Sequence, residues 1–175
     1  MIAYVAFGSN LNDPASQLRR GARTLGKLPG TRLLRGSSLY RSAPVGLADQ
    51  PDFINAVCEI DTSLTAQNLM QALLDIETAN GRVRAVPGGP RTLDLDLLLY
   101  GETVCHEAGL TLPHPRLHER AFVLYPLAEI APGLSIPGHG RVEALLAGCA
   151  GQTIEQLAVG IDIEFANHEH SAKQD

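Results

Sequence analysis

The chain has 175 residues, 45% of them hydrophobic and 19% charged, which suits one soluble globular domain able to bury a substantial core. Its formal net charge of -5 argues against broad electrostatic binding of nucleic acid, whose phosphates need a basic surface. Cys58, Cys105 and Cys149 are odd in number, widely spaced and without a C-x-x-C pair, so neither a disulfide framework nor a zinc site is indicated and a reducing, cytoplasmic location is expected.

Met1 to Phe7 is apolar but lacks a basic leader and stops at Gly8-Ser9-Asn10, so it reads as a first strand, about Ile2 to Phe7, and not as a signal peptide. Asp13 is expected to cap, and Pro14 to open, a helix in which Leu18, Ala22 and Leu25 recur at helical spacing; Pro29-Gly30 closes the segment. Inside it, Gly21 to Lys27 matches most of a Walker A motif. Leu28 stands where the magnesium-binding hydroxyl would be, and the segment is helical, so the match is coincidence. Arg32 to Tyr40 reads as a second strand and Phe53 to Asp61 as a third, with the Pro- and Gly-containing loop from Ser42 to Asp52 a candidate substrate wall. Thr65 can cap a second helix carrying Leu69, Leu73 and Ile76, which stops at Asn80-Gly81.

Between Arg82 and Arg91 lie three arginines, no acid, and the run Pro87-Gly88-Gly89-Pro90, a composition for a mobile, positively charged flap. A guanidinium is planar and suited to phosphate oxygens, so Arg82, Arg84 and Arg91 point to phosphate binding. The strand that follows carries Asp94 and Asp96. Alternation puts Thr92, Asp94, Asp96 and Leu98 on one face and Leu93, Leu95, Leu97 and Leu99 on the other. The two carboxylates are then neighbours, roughly 6 to 7 Å apart at the backbone, able to converge on one or two hard cations. The alternative is an edge strand whose polar face meets water.

A polar excursion from Gly101 to Gly109 leads to Leu110-Thr111-Leu112-Pro113-His114-Pro115, then to a helix from about Glu119 to Ile130 that tolerates Pro126. His114 and His118 have the i, i+4 spacing of a helical zinc pair, but Pro115 lies between them and the motif's acidic base is missing. Val142 to Ala147 suggests a small fourth helix, with weaker signals from Thr153 to Leu157. No stretch approaches membrane-spanning length. Residues 1-160 are read as a single domain and 161-175, polar and aperiodic, as a flexible tail. The order β, α, β, β, α, β followed by helices predicts an α+β fold, a ferredoxin-like α/β sandwich with a mainly antiparallel sheet and extra C-terminal helices.

Four stretches, Ala6 to Leu11, Ser37 to Ser42, Gln50 to Ala56 and Gly89 to Asp96, together with Leu110 to His114 and Arg120-Ala121-Phe122, make the chain resemble the 6-hydroxymethyl-7,8-dihydropterin pyrophosphokinases of folate biosynthesis from about Ala3 to Pro132. The resemblance implies transfer of pyrophosphate from MgATP to the pterin hydroxymethyl group, releasing AMP, by a monomer whose partners are these small molecules and neither nucleic acid nor membrane. By it, Asp94 and Asp96 hold two Mg2+ ions that bridge the phosphates of the cosubstrate ATP. Arg82, Arg84, Arg91, His114 and Arg120 surround the triphosphate, Arg82 and Arg91 taking part in catalysis, and Glu77 and Thr111 lie near the nucleotide. The pterin stacks between Phe53 and Phe122 and bonds Asn55, with Ser42, Pro44 and Val45 lining its pocket. Two positions depart from the family pattern: Gly88 replaces a large residue in a somewhat shorter flap, and Leu74 replaces a common glutamine. A metal-dependent phosphohydrolase or nucleotidyltransferase would use the same aspartates without the aromatic pocket, and a non-catalytic nucleotide-binding module would retain the arginines without turnover.

Overall fold

The structure is a computed structural model that describes residues 1–45, 49–81 and 89–161. Its first strand, β1 (Ile2–Ser9), is buried almost throughout, as the near-continuous apolar run Ala3 to Phe7 requires of a strand covered on both faces. Helix α1 (Pro14–Gly26) follows, then β2 (Thr31–Gly36), β3 (Ser38–Ser42), β4 (Phe53–Thr62), helix α2 (Ala66–Ala79) and β5 (Asp94–Tyr100). β1 pairs with β4 on one side and β5 on the other, and β2 and β3 both pair with β4; every pairing is antiparallel. This is the ferredoxin-like βαββαβ wiring expected from the element order, with β2 and β3 together serving as its second strand. The break between them is at Ser37. Its main-chain N–H donates to the Val57 carbonyl at 2.9 Å, and its hydroxyl accepts the Val57 N–H at 2.9 Å.

The second half adds the hairpin β6 (Cys105–Glu107) and β7 (Leu110–Leu112), helix α3 (Ala121–Ile130), the two-residue strands β8 (Ser135–Ile136) and β9 (Gly140–Arg141), a short α4 (Val142–Leu146), and β10 (Ile154–Gly160). β10 lies antiparallel to β3, so the main sheet runs β10-β3-β4-β1-β5. Its strand character is a correction to the weak sequence signal there. The hairpin β6–β7 likewise replaces the expected polar excursion. Ile161 continues the fold: its N–H donates to the Ser37 carbonyl at 3.0 Å and its side chain packs with the core. The rest of the expected tail, 162–175, lies outside the described residues.

Two cores sandwich the sheet. Val5, Phe7, Cys58, Ile60, Leu95 and Leu97 pack with Leu18, Leu25, Leu69 and Leu73 of α1 and α2. On the opposite face Tyr4, Ala6, Val57 and Leu98 pack with Val123, Leu124 and Leu127 of α3. Each such leucine stabilises the fold by about 1.5–3 kcal/mol through burial alone. Leu99 departs from strict alternation. The β1–β5 register shifts between Tyr4, opposite Leu99, and Val5, opposite Leu97, and this bulge turns Leu98 and Leu99 alike toward the α3 side.

The helix starts differ from each other. Thr65 caps α2 as its sequence predicts, its hydroxyl accepting the Asn68 N–H at 3.1 Å. Asp13 does not cap α1 with its side chain. It sits in the left-handed region at φ 59, and its carboxylate accepts the Ser16 hydroxyl at 2.8 Å, while Pro14 opens the helix. The Walker-like run Gly21 to Lys27 lies in α1 and its C-cap, Lys27.

Candidate active site

The β1 C-terminus and the starts of β4 and β5 meet at one end of the sheet. Gly8 is opposite Asn55 on one neighbour and Asp94 on the other, and Ala6 is opposite Val57 and Asp96. Two rows, Asn55-Gly8-Asp94 and Val57-Ala6-Asp96, therefore cross the face that α3 covers. A Cβ on Gly8 would lie 3.5 Å from Asn55 Oδ1 and 4.0 Å from Asp94 Cβ. The missing side chain keeps this row open. Above it is a cleft of about 310 Å³, lined by Ser42, Ala43, Val45, Phe53, Arg91, Arg116, Arg120 and Phe122 together with residues of the rows beneath.

At the charged end, Arg91 Nη1 donates to Asp94 Oδ2 at 2.6 Å. Asn10 sets the arginine's backbone: its Oδ1 accepts the Arg91 N–H at 2.8 Å, while its Nδ2 donates to Gln50 Oε1 at 2.9 Å and to the Pro51 carbonyl at 3.0 Å. One buried amide thus joins the end of β1, the loop before β4 and the lead-in to β5. Burial pushes the Asp96 carboxyl up to about 6, Asp94 and Glu77 adding to the rise while Arg120 and Arg91 oppose it. Adjacent carboxylates whose repulsion the arginines only partly offset form a set of hard oxygen donors suited to divalent cations. β5 is an edge strand, yet its aspartates face the cleft with 20% and 33% of their side chains exposed, so the water-facing alternative does not describe them.

His114 stands beside Asp96, Nε2 to Oδ1 at 3.8 Å. Its Nδ1 accepts the Arg116 N–H at 3.2 Å, which places the proton of the neutral ring on Nε2. Burial, then Arg120, lowers its pKa to about 4, so the ring is a neutral donor at physiological pH. Burial also lowers the Arg120 pKa, against the pull of Asp96. The Arg120 guanidinium lies over the Phe122 ring at 5.4 Å, which joins the charged end to the apolar one. There, Asn55 Nδ2 donates to Ser42 Oγ at 2.8 Å and to the Tyr40 carbonyl at 3.3 Å. These bonds orient the amide with its oxygen nearest Gly8, between the Phe53 and Phe122 walls.

Of the residues expected from the sequence, Asp94, Asp96, Arg91, Arg120, Phe53, Asn55, Phe122, Ser42 and Val45 line this cleft, and His114 adjoins it through Asp96. Pro44, half-buried between Ala43 and Val45, is not in the lining. Thr111 lies on β7 opposite His106, outside it. Glu77 is buried at the end of α2, where its Oε1 accepts the Leu95 N–H at 3.0 Å. Arg82, Arg84 and Gly88, and with them most of the expected flap, lie outside the described residues. Leu74 is partly exposed on α2. His118 stacks on His139, ring centroids 4.0 Å apart.

Sequence reading missed Ala6, Phe7, Gly8, Ala43 and Arg116 in the lining. Signals for three of them exist: Gly8 and Ala6 alternate on the aspartates' face of the sheet, and Arg116 follows His114 by two residues in a run that continues to Arg120.

The family described as 7,8-dihydro-6-hydroxymethylpterin-pyrophosphokinase matches residues 4–132. The 2-amino-4-hydroxy-6-hydroxymethyldihydropteridine pyrophosphokinase of Pseudomonas aeruginosa is 48% identical over 154 residues, 88% of this chain and 95% of that protein. The protein of the same name from Haemophilus influenzae is 47% identical over 144 residues, 82% of this chain and 90% of that protein. A crystal structure of an HPPK-DHPS protein in complex with substrates superposes with a TM-score of 0.66 at 12% identity, a likeness of fold over 83% of this chain and 42% of that longer one.

Proposed function

This chain belongs to the 7,8-dihydro-6-hydroxymethylpterin-pyrophosphokinase family and transfers pyrophosphate from ATP to the hydroxymethyl group of 6-hydroxymethyl-7,8-dihydropterin in folate biosynthesis; we propose that the cleft beneath α3 is where it does so. The observation that carries the assignment is the joining, in one 310 Å³ cleft, of an Asp pair with arginines at one end and two aromatic walls around an oriented amide at the other.

In this reading Phe53 and Phe122 hold the flat pterin ring by its faces, and Asn55, fixed by Ser42 and the Tyr40 carbonyl, offers its oxygen to a ring N–H. Gly8 lets the ring approach the sheet. Arg91, Arg120 and the Nε2–H of His114 hold the triphosphate beside the aspartates. We assign Asp94 and Asp96 to two Mg2+ ions, which would supply charge compensation to the phosphate oxygens and polarise the alcohol. With both substrates so held, the hydroxymethyl oxygen attacks the β-phosphorus and its proton passes to solvent water. The bond from that phosphorus to the α,β-bridging oxygen breaks, and AMP leaves with the electron pair. Arg91 and Arg120 oppose the charge that develops on the leaving group. We propose that the chain acts as a monomer, with which light scattering at 18.7 kDa would agree.

Chromatography of the nucleotide product tests the assignment. AMP formed in step with pterin diphosphate is expected. Stoichiometric ADP, or nucleotide turnover independent of the pterin alcohol, would instead place the chain with a phosphohydrolase or other transferase chemistry.

A further inference from the structure

Arg116 lines the cleft and has no part in the assignment above. Its place along the cleft is the charged end: it acts electrostatically on both His114 and Arg120, and its own N–H fixes the His114 ring that faces Asp96. The backbone that carries this segment is pinned, since Gln152 donates to the Glu119 carbonyl at 2.6 Å and accepts the Ala121 N–H at 2.9 Å. The side chain is not. It is 61% exposed, and its ion-pair partner is Glu119, whose Oε2 lies 3.9 Å from Nε, beyond hydrogen-bond range. Glu119 is itself shared, with His118 Nε2 at 3.5 Å from its other oxygen.

Resting on the pyrophosphokinase reading of this cleft, we propose that Arg116 is a further phosphate-binding residue, which leaves Glu119 and closes on the polyphosphate of bound ATP. Glu119 is then a competitor for the same guanidinium, holding it at the cleft mouth until a more highly charged anion arrives. A loose, exposed pair at 3.9 Å contributes little to stability, so giving it up costs little. A guanidinium on a flexible stem over a pinned backbone can form two parallel hydrogen bonds to a phosphate without moving the chain.

The test is titration of the protein with a nonhydrolysable α,β-methylene analogue of MgATP, using R116Q, R116K, E119Q and the R116Q/E119Q double variant, with thermal melts to confirm folding. R116Q is expected to weaken analogue binding about tenfold and to flatten its salt dependence, while R116K recovers part of the loss. E119Q is expected to tighten binding about two- to threefold, and that gain should vanish in the R116Q background, because it works only by releasing Arg116. Pterin binding to R116Q should match the wild type. A wild-type protein that binds the analogue while R116Q binds it within twofold overturns this proposal alone, as does a gain from E119Q that persists without Arg116. Failure of the wild-type protein to bind the analogue overturns the pyrophosphokinase reading and this proposal with it.

Discussion

The carboxylate of Glu77 accepts the main-chain N–H of Leu95 at 3.0 Å, so a helix on one face of the sheet fixes the residue between the two aspartates that face the other. Leu95 is on an edge strand, and its outward N–H would otherwise have no strand to bond. Glu77 closes that edge, and so sets the depth at which Asp94 and Asp96 enter the cleft.

Glu77→Gln and Glu77→Ala should therefore separate. The glutamine retains an acceptor oxygen for Leu95 and should keep most of the stability. Alanine leaves a buried N–H unpaired and should cost about 1–3 kcal/mol in denaturant unfolding. Its turnover should fall as well, because the carboxylates that face the cleft lose their fixed position. Equal stability of the two variants would show that the bond contributes nothing.

Asp94→Asn and Asp96→Asn should each reduce turnover by two orders of magnitude or more with the far-ultraviolet circular dichroism unchanged, since side-chain volume is preserved while charge is lost. Asp94→Asn also deprives Arg91 of its partner at 2.6 Å, so nucleotide binding should be disturbed more in that variant. Near-normal turnover at saturating Mg2+ in either would remove that aspartate from the mechanism.

Gly8→Ala tests the open row. The new methyl would meet Asn55 Oδ1 at 3.5 Å, an ordinary contact, and Gly8 is not among the positive-φ glycines, so the fold should change by less than about 1 kcal/mol. The methyl nevertheless stands between the amide and the ring it is proposed to hold. The KM for the pterin should rise about tenfold with that for ATP little affected; an unchanged pterin KM would move the ring away from Gly8.

The cysteines give a test of pH. Burial pushes the Cys58 thiol up to about 12 and also raises that of Cys149, whereas Cys105 is only half-buried. Native protein at pH 8 should therefore be alkylated at one accessible cysteine, Cys105, and denatured protein at all three. The sign for stability follows from the raised folded value. An unfolded thiol ionises near about 8.5. Above that pH the unfolded state sheds a proton that folded Cys58 retains, so stability from this group is lost as pH rises from about 9 toward 12. Cys58→Ala should flatten that alkaline decline relative to the wild type, whatever its effect at pH 7.

Much of the site was legible because its grammar is local. Alternation alone assigns Asp94 and Asp96 to one face, and the chain order of strands and helices specifies the sheet. Leu99 escaped because a bulge is a two-strand event, visible only when β1 and β5 are paired. Glu77 was expected only near the nucleotide, by resemblance, although it follows Leu73 and Ile76 at helical spacing and so shares their buried face. β10 was faint because only one of its faces meets the protein and its inward residues do not alternate cleanly. Arg116 was one arginine among several in the sequence, and its place in the cleft lining and the pairing of its N–H with His114 set it apart.

β10 also has a consequence in time. The ribosome makes β3 more than a hundred residues before the strand that will flank it, and a peptide emerging at 5–20 residues per second leaves the β3 edge bare for several seconds at least. During that interval Ser38 to Ser42 offers its backbone to any passing strand. A nascent chain stalled near residue 132, where the family resemblance stops, would already hold every element of the cleft and yet remain open to misassembly along that side. The residues that line the cleft are thus translated well before the strand that covers the β3 edge.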